Sequence, residues 1–524
     1  MFDILIRNGA VIDGTGKPGV KSSLGINKNK IAKIGKLAWE KGKIEIDAEG
    51  KVIAPGFIDI HNHSDSYWRL FLEPQLPSLV YQGITTIVGG NCGASIAPLT
   101  SGKIIESVQK WADIKEVNVN WLSMGEFREE MEKRKLGLNF ATLVGHGTLR
   151  RGIIGDDMRR LAENELELFK NILERSLESG ALGFSAGLAY SHEREAKWDE
   201  LEAMLEIVKR HNKIFSLHLR DEEKDIISAI DEAVDMARES GVSLQISHFK
   251  VMGEKNWPLA EKALQKIEEA QNAGIDVNFD VYPYTETGSV LYISLPAWAA
   301  EGGKKMLLRR LKEKHLREKI VLEMKNIHEY QYEKAIVAIS SLDKNLPERR
   351  ISKIAEARGV SAEEAIVDLL VASEGRVITL LDCLSEDNVR KAIKHPLSII
   401  ASDGAGYDIA HKETGELVHP RCFGTFPKVL GKYVREENLL TLPEAVKKMT
   451  SMPAKKLGLV DRGVLQKNSI ADIVVFDPEK IADKSTSKEP YKYAEGVSEV
   501  IVNGKLILEK GKMTGEIAGE FIAG

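Results

Sequence analysis

Short apolar runs alternate with amphipathic stretches through most of the chain. The apolar runs include ITTIVGG at 84–90, NFATLVG at 139–145, IFSLH at 214–218 and SIIASDG at 398–404. Stretches between them, such as ENELELFKNILERSLESG, carry apolar residues at helical spacing. This alternation is typical of βαβ units and a parallel sheet. We count eight such runs, the number that a closed (β/α)8 TIM barrel requires.

The two ends of the chain have a different pattern. Residues 1–52 form short strand-like runs separated by Asn-Gly and Asp-Gly pairs, and a similar texture returns over 456–524. Such pairs are typical of β-hairpin turns. We therefore expect an α/β protein in which both ends build one small β-sandwich domain beside a barrel over 53–455. Two separate β appendages are the alternative.

One connection is too long for a simple crossover between parallel strands. The chain leaves the seventh run near residue 285 and includes the charged helical stretch GGKKMLLRRLKEKHLREKIVLEMKN before the eighth run begins. We expect an insertion at about 286–350, before the last barrel strand. Long segments on the catalytic face of a barrel often act as lids. An ordinary surface insertion is the alternative.

Composition narrows the class of function. The chain has 524 residues, of which 43% are hydrophobic and 29% charged, and a net charge of -5. This charge argues against a nucleic-acid partner, and the absence of an apolar run of about 18 residues or of a signal peptide argues against a membrane partner. Three cysteines cannot form a disulfide framework. We expect a cytoplasmic protein.

Residues able to bind a metal or transfer a proton close five of the eight runs. The first run ends in His61 and His63, which share one face of a strand because side chains alternate along it. The second, fifth, sixth and eighth runs lead into Cys92, His218, His248 and Asp403. Each residue has an ordinary structural role when taken singly. Core packing does not explain why all of them follow the same end of successive strands, where barrel active sites lie.

This set of residue types predicts a metal-dependent hydrolase. A thiolate together with imidazoles favours zinc. A catalytic zinc lowers the pKa of a bound water to about 7 and polarises a carbonyl group. Asp403 is placed to accept the water's proton and to deliver it to a leaving nitrogen. The predicted chemistry is metal-assisted hydrolysis.

The sequence resembles the amidohydrolase superfamily and, within it, the D-aminoacylase family of N-acyl-D-amino-acid deacylases. The resemblance runs nearly end to end and includes PGFIDIHNHSD, GGNCG, VGHGTLR, HLRDE, ISHFK, DVYPY, ASDG and HPRCFGTFP. The segments GGNCG, ISHFK and HPRCFGTFP are the most specific. The resemblance implies hydrolysis of N-acyl-D-amino acids to a carboxylate and a free D-amino acid.

The resemblance also implies roles for individual residues. One zinc ion would be held tightly by Cys92, His218 and His248, and a second, weaker or partly filled site would lie at His61 and His63. Many superfamily members bridge two metals with a carboxylated lysine, but the third and fourth runs contain none. The thiolate of the cysteine would replace that bridge. Asp403 matches the family's catalytic aspartate.

Four further residues are candidates for binding the substrate, expected to be a small molecule with a free carboxylate. Lys250 lies two positions after His248 and can face the same barrel mouth, and Arg421 can pair with a carboxylate through two hydrogen bonds. Tyr190 and Tyr282 can donate hydroxyl hydrogen bonds. Alternatively, the two cations are surface charges and the tyrosines pack at the edge of the core.

The sequence leaves several questions open. Another amide, such as an N-acyl-D-glutamate, a dihydropyrimidine-like ring or a dipeptide, is the alternative substrate, because one fold supports many activities. A non-catalytic scaffold that kept the fold is the rival from a different class. The oligomeric state is undetermined, with a homo-oligomer among the alternatives.

Overall fold

A computed structural model describes residues 1–100, 117–155, 157–327, 334–340 and 346–524. Its strands are β1 (Phe2–Val11), β2 (Val20–Asn27), β3 (Lys30–Gly35), β4 (Gly42–Asp47), β5 (Val52–Pro55), β6 (Phe57–Asp59), β7 (Ile84–Gly89), β8 (Asn139–Thr142), β9 (Val144–Gly145), β10 (Gly183–Gly187), β11 (Ile214–His218), β12 (Ser243–Ile246), β13 (Val277–Val281), β14 (Glu286–Val290), β15 (Ile336–Ser340), β16 (Val377–Asp382), β17 (Ser398–Ile400), β18 (Ile473–Phe476), β19 (Val497–Val502), β20 (Lys505–Glu509) and β21 (Lys512–Met513).

Helices connect most of these strands. The α-helices span Arg69–Leu72, Pro77–Val80, Met124–Lys133, His146–Ile154, Glu163–Glu178, Ser191–Arg194, Trp198–Arg210, Ile226–Ser240, Leu259–Asn272, Gly303–Lys312, Lys314–Ile327, Ile351–Arg358, Ala362–Ala372, Glu386–Lys394, Arg421–Lys428, Leu442–Met449 and Ser451–Lys456. Short 3₁₀-helices cover Leu291–Ser294, Ala297–Ala300 and Ile409–Thr414, and a π-helical segment covers Val429–Glu436. Within the described ranges, each helix is too short or too polar to cross a membrane.

The central part of the chain forms a barrel of parallel strands, as predicted. β6, β7 and β8 pair in sequence order, and β9 continues the third strand and pairs with β10. The order then runs through β10, β11, β12, β13 and β17, each pair parallel. A parallel bridge between Asn62 and Gly404 joins the first strand to the eighth and closes the ring. Because all these strands run in one direction, their carboxyl ends lie on one face of the barrel.

Both ends of the chain contribute to a second sheet. Its nine strands follow the order β21, β20, β19, β18, β5, β1, β2 and β3, with β4 also paired to β1. Side chains alternate across this sheet, so that Ile53 and Val475 enter the sheet domain's own core. Their neighbours Val52 and Val474 pack into the barrel core instead. The sheet domain is therefore fixed to the barrel by one apolar face.

The first apolar run is divided between the two parts of the molecule. The sequence suggested one strand from Val52 to His63, but the backbone separates β5 from β6 at Gly56. β5 pairs with β1 and β18 of the terminal sheet, whereas β6 starts the barrel. The two histidines of this run consequently follow a short barrel strand of only three residues.

The insertion before the last barrel strand contains its own sheet and core. Antiparallel strands β14, β16 and β15 pair in that order, and helices pack beside them around a separate apolar cluster. The inserted elements continue to Asp382 in β16 and thus pass the expected limit at residue 350. Residues 328–333 and 341–345 of the expected insertion lie outside the described residues.

Candidate active site

The first and eighth barrel strands meet at the carboxyl face of the barrel. The backbone N–H of Asp403 donates to the His61 carbonyl at 2.9 Å, and the N–H of His63 donates to the Gly404 carbonyl at 2.7 Å. The Nε2 atom of His63 lies 3.1 Å from Asp403 Oδ1, although the two residues are 340 positions apart. His61 Nε2 lies 3.4 Å from the same oxygen. The histidine pair and the aspartate therefore share one cluster.

Cys92 is carried by the loop that follows the second barrel strand. Gly90 in this loop has a φ of +72°, and an added Cβ would lie 2.1 Å from the carbonyl oxygen of Leu143. Only glycine permits both the conformation and the close approach to the third strand. The loop places the Cys92 sulfur 3.4 Å from the Nε2 atoms of His61 and His248.

Three of the predicted site residues adopt left-handed backbone conformations. The φ angles of Cys92, His248 and Asp403 are +54°, +37° and +47°. Non-glycine residues adopt this region at a cost of about 1–3 kcal/mol, and such residues cluster at functional sites. Each of these residues lies two or three positions after the end of a barrel strand, where the backbone turns away and directs its side chain toward the barrel mouth.

The fifth and sixth strands supply two more imidazoles and a carboxylate. The rings of His218 and His248 are nearly perpendicular, with centroids 4.4 Å apart. Glu222 lies beside both rings: its Oε1 is 3.1 Å from His248 Nδ1 and its Oε2 is 3.6 Å from His218 Nε2. Lys250 donates to Glu222 Oε1 at 2.6 Å. Sequence reasoning missed Glu222, although its spacing of four residues after His218 is a signal.

A second missed carboxylate lies under the cluster. Asp280, near the end of β13, accepts hydrogen bonds from the backbone N–H of His248 at 2.8 Å and from Gln245 Nε2 at 3.0 Å. Its Oδ1 also lies 3.2 Å from Nδ1 of His61. A carboxylate on the distal nitrogen of an imidazole fixes the ring and leaves the other nitrogen free for a metal. Its position just before the Tyr-Pro-Tyr motif is the sequence signal.

The donor set fits a zinc ion. The ligand atoms of His61, Cys92 and His248 lie within 4.8 Å of one another, as do those of His61, His63 and Asp403. A tetrahedral zinc ion separates its sulfur and nitrogen ligands by about 3.5 Å, which agrees with the 3.4 Å contacts of Cys92. His218 Nδ1 is buried without a hydrogen-bond partner in the described part of the chain. It is therefore an available ligand atom.

The electrostatic environment favours anionic donors at this site. Burial opposes ionisation of the Cys92 thiol, but the imidazoles of His61 and His248 hold its pKa well below its usual value. Burial likewise opposes ionisation of Asp403, whereas Arg421 and the neighbouring imidazoles hold its pKa well below the usual range. A thiolate and a carboxylate are the forms that bind a divalent metal.

The cluster opens into a cavity of about 430 Å³. Its polar wall carries Cys92, His218, His248 and Asp403, and residues 287–297 of the insertion form much of the opposite wall. Leu381 of β16 lines the same space. The insertion thus covers the barrel mouth and contributes directly to the pocket in which a substrate would sit.

All four candidate substrate-binding residues lie near this cavity. Arg421 forms an ion pair with Asp403, in which Nη1 lies 2.7 Å from Oδ2. The guanidinium of Arg421 also lies over the Tyr282 ring. The Nε of this arginine and the Tyr282 hydroxyl are buried without hydrogen-bond partners in the described ranges. The Tyr190 ring contacts that of His218 at 5.0 Å. Lys250 lines the cavity but already pairs with Glu222.

A family model described as "Amidohydrolase family" matches residues 45–508. This match spans the barrel, the insertion and strands β5, β18, β19 and nearly all of β20 of the terminal sheet. The chain belongs to the amidohydrolase family. Its membership, together with the buried donor set at the barrel mouth, makes it a metal-dependent amidohydrolase acting on non-peptide C–N bonds.

Individual members of the family match over the whole chain. The chain is 32% identical over 522 residues to a D-aminoacylase of Alcaligenes xylosoxydans xylosoxydans, covering 100% of this chain and 98% of the relative. A crystal structure of D-aminoacylase superposes with a TM-score of 0.85 at 31% identity, covering 100% of both chains. The predicted resemblance to the D-aminoacylase family is confirmed.

A further solved structure bears on the metal. The N-acyl-D-glutamate deacylase of Bordetella bronchiseptica, in complex with zinc and a phosphonate mimic of the tetrahedral intermediate, superposes with a TM-score of 0.83 at 29% identity. It covers 100% of each chain. This amidohydrolase contains the metal that the thiolate and imidazole donors of the present chain favour.

Proposed function

We propose that the chain hydrolyses the amide bond of N-acyl-D-amino acids with zinc as the cofactor, releasing a carboxylate and a free D-amino acid. The observation that carries this proposal is the meeting of Cys92, His218, His248 and Asp403 at the barrel mouth, in a chain that matches D-aminoacylase along its whole length. Zinc bound there would polarise the substrate carbonyl and lower the pKa of water.

Cys92, His218 and His248 are proposed to hold the tight metal, and His61 with His63 the weaker one. The Cys92 sulfur is in contact with both His61 and His248, so it is placed to serve either position or both. Asp280 orients His61 through its Nδ1, which leaves Nε2 directed at the cluster. These contacts support a thiolate in the position where many relatives would use a carboxylated lysine.

Asp403 is proposed to transfer the proton. Its Oδ1 faces the two imidazoles of the first strand, and its Oδ2 faces Arg421. A carboxylate beside these imidazoles can accept a proton from water and return it to a leaving nitrogen. It is only slightly exposed, at 7%, which restricts competing contact with bulk water.

The substrate carboxylate is proposed to bind Arg421, Lys250 and the two tyrosines. Within the described ranges, the Nε of Arg421 and the hydroxyl of Tyr282 are buried without hydrogen-bond partners, so both donors require an acceptor. An α-carboxylate that reaches the cavity supplies one. Arg421 currently pairs with Asp403, so a substrate carboxylate would share or replace that contact.

The proposal is tested by offering the zinc-loaded enzyme paired N-acetyl-D- and N-acetyl-L-amino acids, with leucine and glutamate among the side chains. We expect turnover of D substrates and loss of that turnover in Cys92→Ala and Asp403→Asn. The Asp403→Asn variant should retain one tightly bound zinc ion per chain, which separates loss of catalysis from loss of metal. Turnover of dipeptides or cyclic amides in place of N-acyl-D-amino acids would reject the proposed substrate.

A further inference from the structure

Glu222 is a buried carboxylate that sits between two proposed metal ligands and a lysine. Its Oε1 accepts from Lys250 Nζ at 2.6 Å and lies 3.1 Å from His248 Nδ1, while its Oε2 lies 3.6 Å from His218 Nε2. Only 9% of the residue is exposed. Among the described residues its carboxylate contacts the two imidazoles and the lysine but not the Cys92 sulfur, so the imidazoles are the route by which it can act on a metal ion held by Cys92.

The Nδ1 atom of His248 has two polar neighbours with opposite demands. Glu222 Oε1 at 3.1 Å is an acceptor and favours a proton on Nδ1. Lys250 Nζ at 2.8 Å is an ammonium group that can only donate, and it favours an unprotonated Nδ1. A neutral imidazole carries its proton on one nitrogen, so these neighbours select between the two tautomers.

Only one of the two tautomers can bind a metal at this site. The Nε2 atom of His248 faces the Cys92 sulfur at 3.4 Å, so Nε2 must keep its lone pair free. A proton on Nδ1 satisfies that condition, whereas a proton on Nε2 blocks it. Glu222 therefore favours the metal-binding form of the ring, and Lys250 opposes it.

We propose that Glu222 is a positioning residue that holds His248 in its metal-binding tautomer against the adjacent Lys250 ammonium. The same carboxylate neutralises that ammonium and keeps it at the cavity wall. Through its second oxygen, Glu222 also faces His218 Nε2, which leaves His218 Nδ1 as the ligand atom. This inference rests on the metal site of the proposed function, but not on the identity of the substrate.

The inference makes a specific prediction for zinc affinity. Glu222→Ala should weaken zinc binding by about 10–100-fold, the range for removal of a carboxylate partner of a ligating histidine. Lys250→Met should bind zinc about as tightly as the wild type, because the Glu222 carboxylate that accepts from His248 Nδ1 remains. In the double variant Glu222→Ala/Lys250→Met, the opposing donor is also gone, so affinity should recover at least tenfold relative to Glu222→Ala. Glu222→Gln should lose less than Glu222→Ala, since its amide oxygen still accepts from Nδ1.

The experiment is a chelator competition that measures the zinc dissociation constant of each full-length variant without substrate. Glu254→Ala, which alters an exposed glutamate on the following loop, is the matched control and should be unchanged. Recovery in the double variant supports the inference when Glu222→Gln also keeps most of the zinc affinity, because a role limited to neutralising the Lys250 ammonium would be lost in Glu222→Gln, which keeps the acceptor but not the charge.

Two results would overturn the inference: Glu222→Ala that binds zinc as tightly as the wild type, or a double variant no better than Glu222→Ala. If circular dichroism shows that Glu222→Ala is misfolded, the comparison passes to Glu222→Met, which also removes the acceptor but fills the space, with and without Lys250→Met. Failure of the second change to strengthen zinc binding then counts against the proposal. The zinc dissociation constants can be compared even if the protein does not hydrolyse N-acyl-D-amino acids, because the measurement uses no substrate. Failure of the proposed substrate and failure of the proposed role of Glu222 are therefore distinguishable.

Discussion

The buried pair formed by His146 and Glu193 supports the loop that carries Cys92, and its removal should loosen that region. Glu193 Oε2 lies 3.0 Å from His146 Nδ1 and accepts the backbone N–H of Gly187 at 2.8 Å. An added Cβ at Gly93 would lie 2.2 Å from Glu193 Oε1, so this carboxylate packs directly against the residue after Cys92. The perturbation is Glu193→Gln, which keeps the shape and removes the charge.

The magnitude follows from the two pKa values. Burial raises the pKa of Glu193, but hydrogen bonds from His146 and His192 lower it from 4.5 to about 2. Burial lowers the pKa of His146, but Glu193 and Glu200 raise it from 6.5 to about 8. The first change corresponds to about 3 kcal/mol and the second to about 2 kcal/mol. Each change includes a second partner, His192 for Glu193 and Glu200 for His146, so we assign about half of the smaller value, about 1 kcal/mol, to the contact between His146 and Glu193.

The pH dependence has a defined sign. The pKa of Glu193 is lower in the folded state, so its contribution is present above pH 4.5 and is lost as the pH falls toward 2. The pKa of His146 is higher in the folded state, so its contribution is present below pH 6.5 and is lost as the pH rises through about 8. The pair therefore stabilises the protein fully only between about pH 4.5 and 6.5.

Amide hydrogen exchange measured by mass spectrometry on the peptide that contains Gly183–Gly187 tests this directly. Loss of about 1 kcal/mol of local stability in Glu193→Gln should accelerate exchange about fivefold at pH 5.5, relative to the wild type at the same pH. At pH 9, where His146 has lost its proton, the ratio should fall to about twofold or less. Glu195→Gln, an exposed neighbour, is the control. An equal ratio at both pH values, or no acceleration, would refute the reasoning.

Three further predictions concern the metal site. Asp280→Ala removes the acceptor beside His61 Nδ1 and should reduce zinc affinity at the His61 and His63 site by about 10–100-fold, measured by titrating zinc into enzyme whose tight site is filled; unchanged affinity for this second zinc ion would contradict it. Gly90→Ala places a methyl group 2.1 Å from the Leu143 carbonyl and should lower the melting temperature and the zinc content together, because it displaces Cys92. Removal of metal with a strong chelator should abolish hydrolysis, and added zinc should restore it; activity that survives metal-free conditions would exclude a metal-dependent reaction.

Much of the fold was accessible from the sequence. The alternation of apolar runs and helical stretches predicted eight parallel barrel strands. The parallel pairing of β6 to β13 and of β13 with β17 confirms them. Local periodicity was sufficient here because parallel strands buried on both faces read as continuous apolar runs. The division of the first run at Gly56 was not apparent, since β5 and β6 are both fully buried and differ only in which sheet they join.

The candidate site was predictable where chemistry follows a strand end. His61, Cys92, His218, His248 and Asp403 are marked by residue type and position, and the barrel topology brings them together. Glu222 and Asp280 were missed because acidic residues are common, and burial alone distinguishes these two from the solvated majority. Burial is a property of the packed molecule rather than of the local sequence.

The sequence by itself determined the order of strands and the ligand types, because these depend on local periodicity and side-chain chemistry. Tertiary structure decided which nitrogen of each imidazole faces the cluster and which carboxylate contacts the other nitrogen. It also decided that Asp403 meets His63 across 340 residues and that the insertion forms a wall of the cavity. These features depend on contacts between distant segments, and only closure of the barrel brings such segments within hydrogen-bond distance.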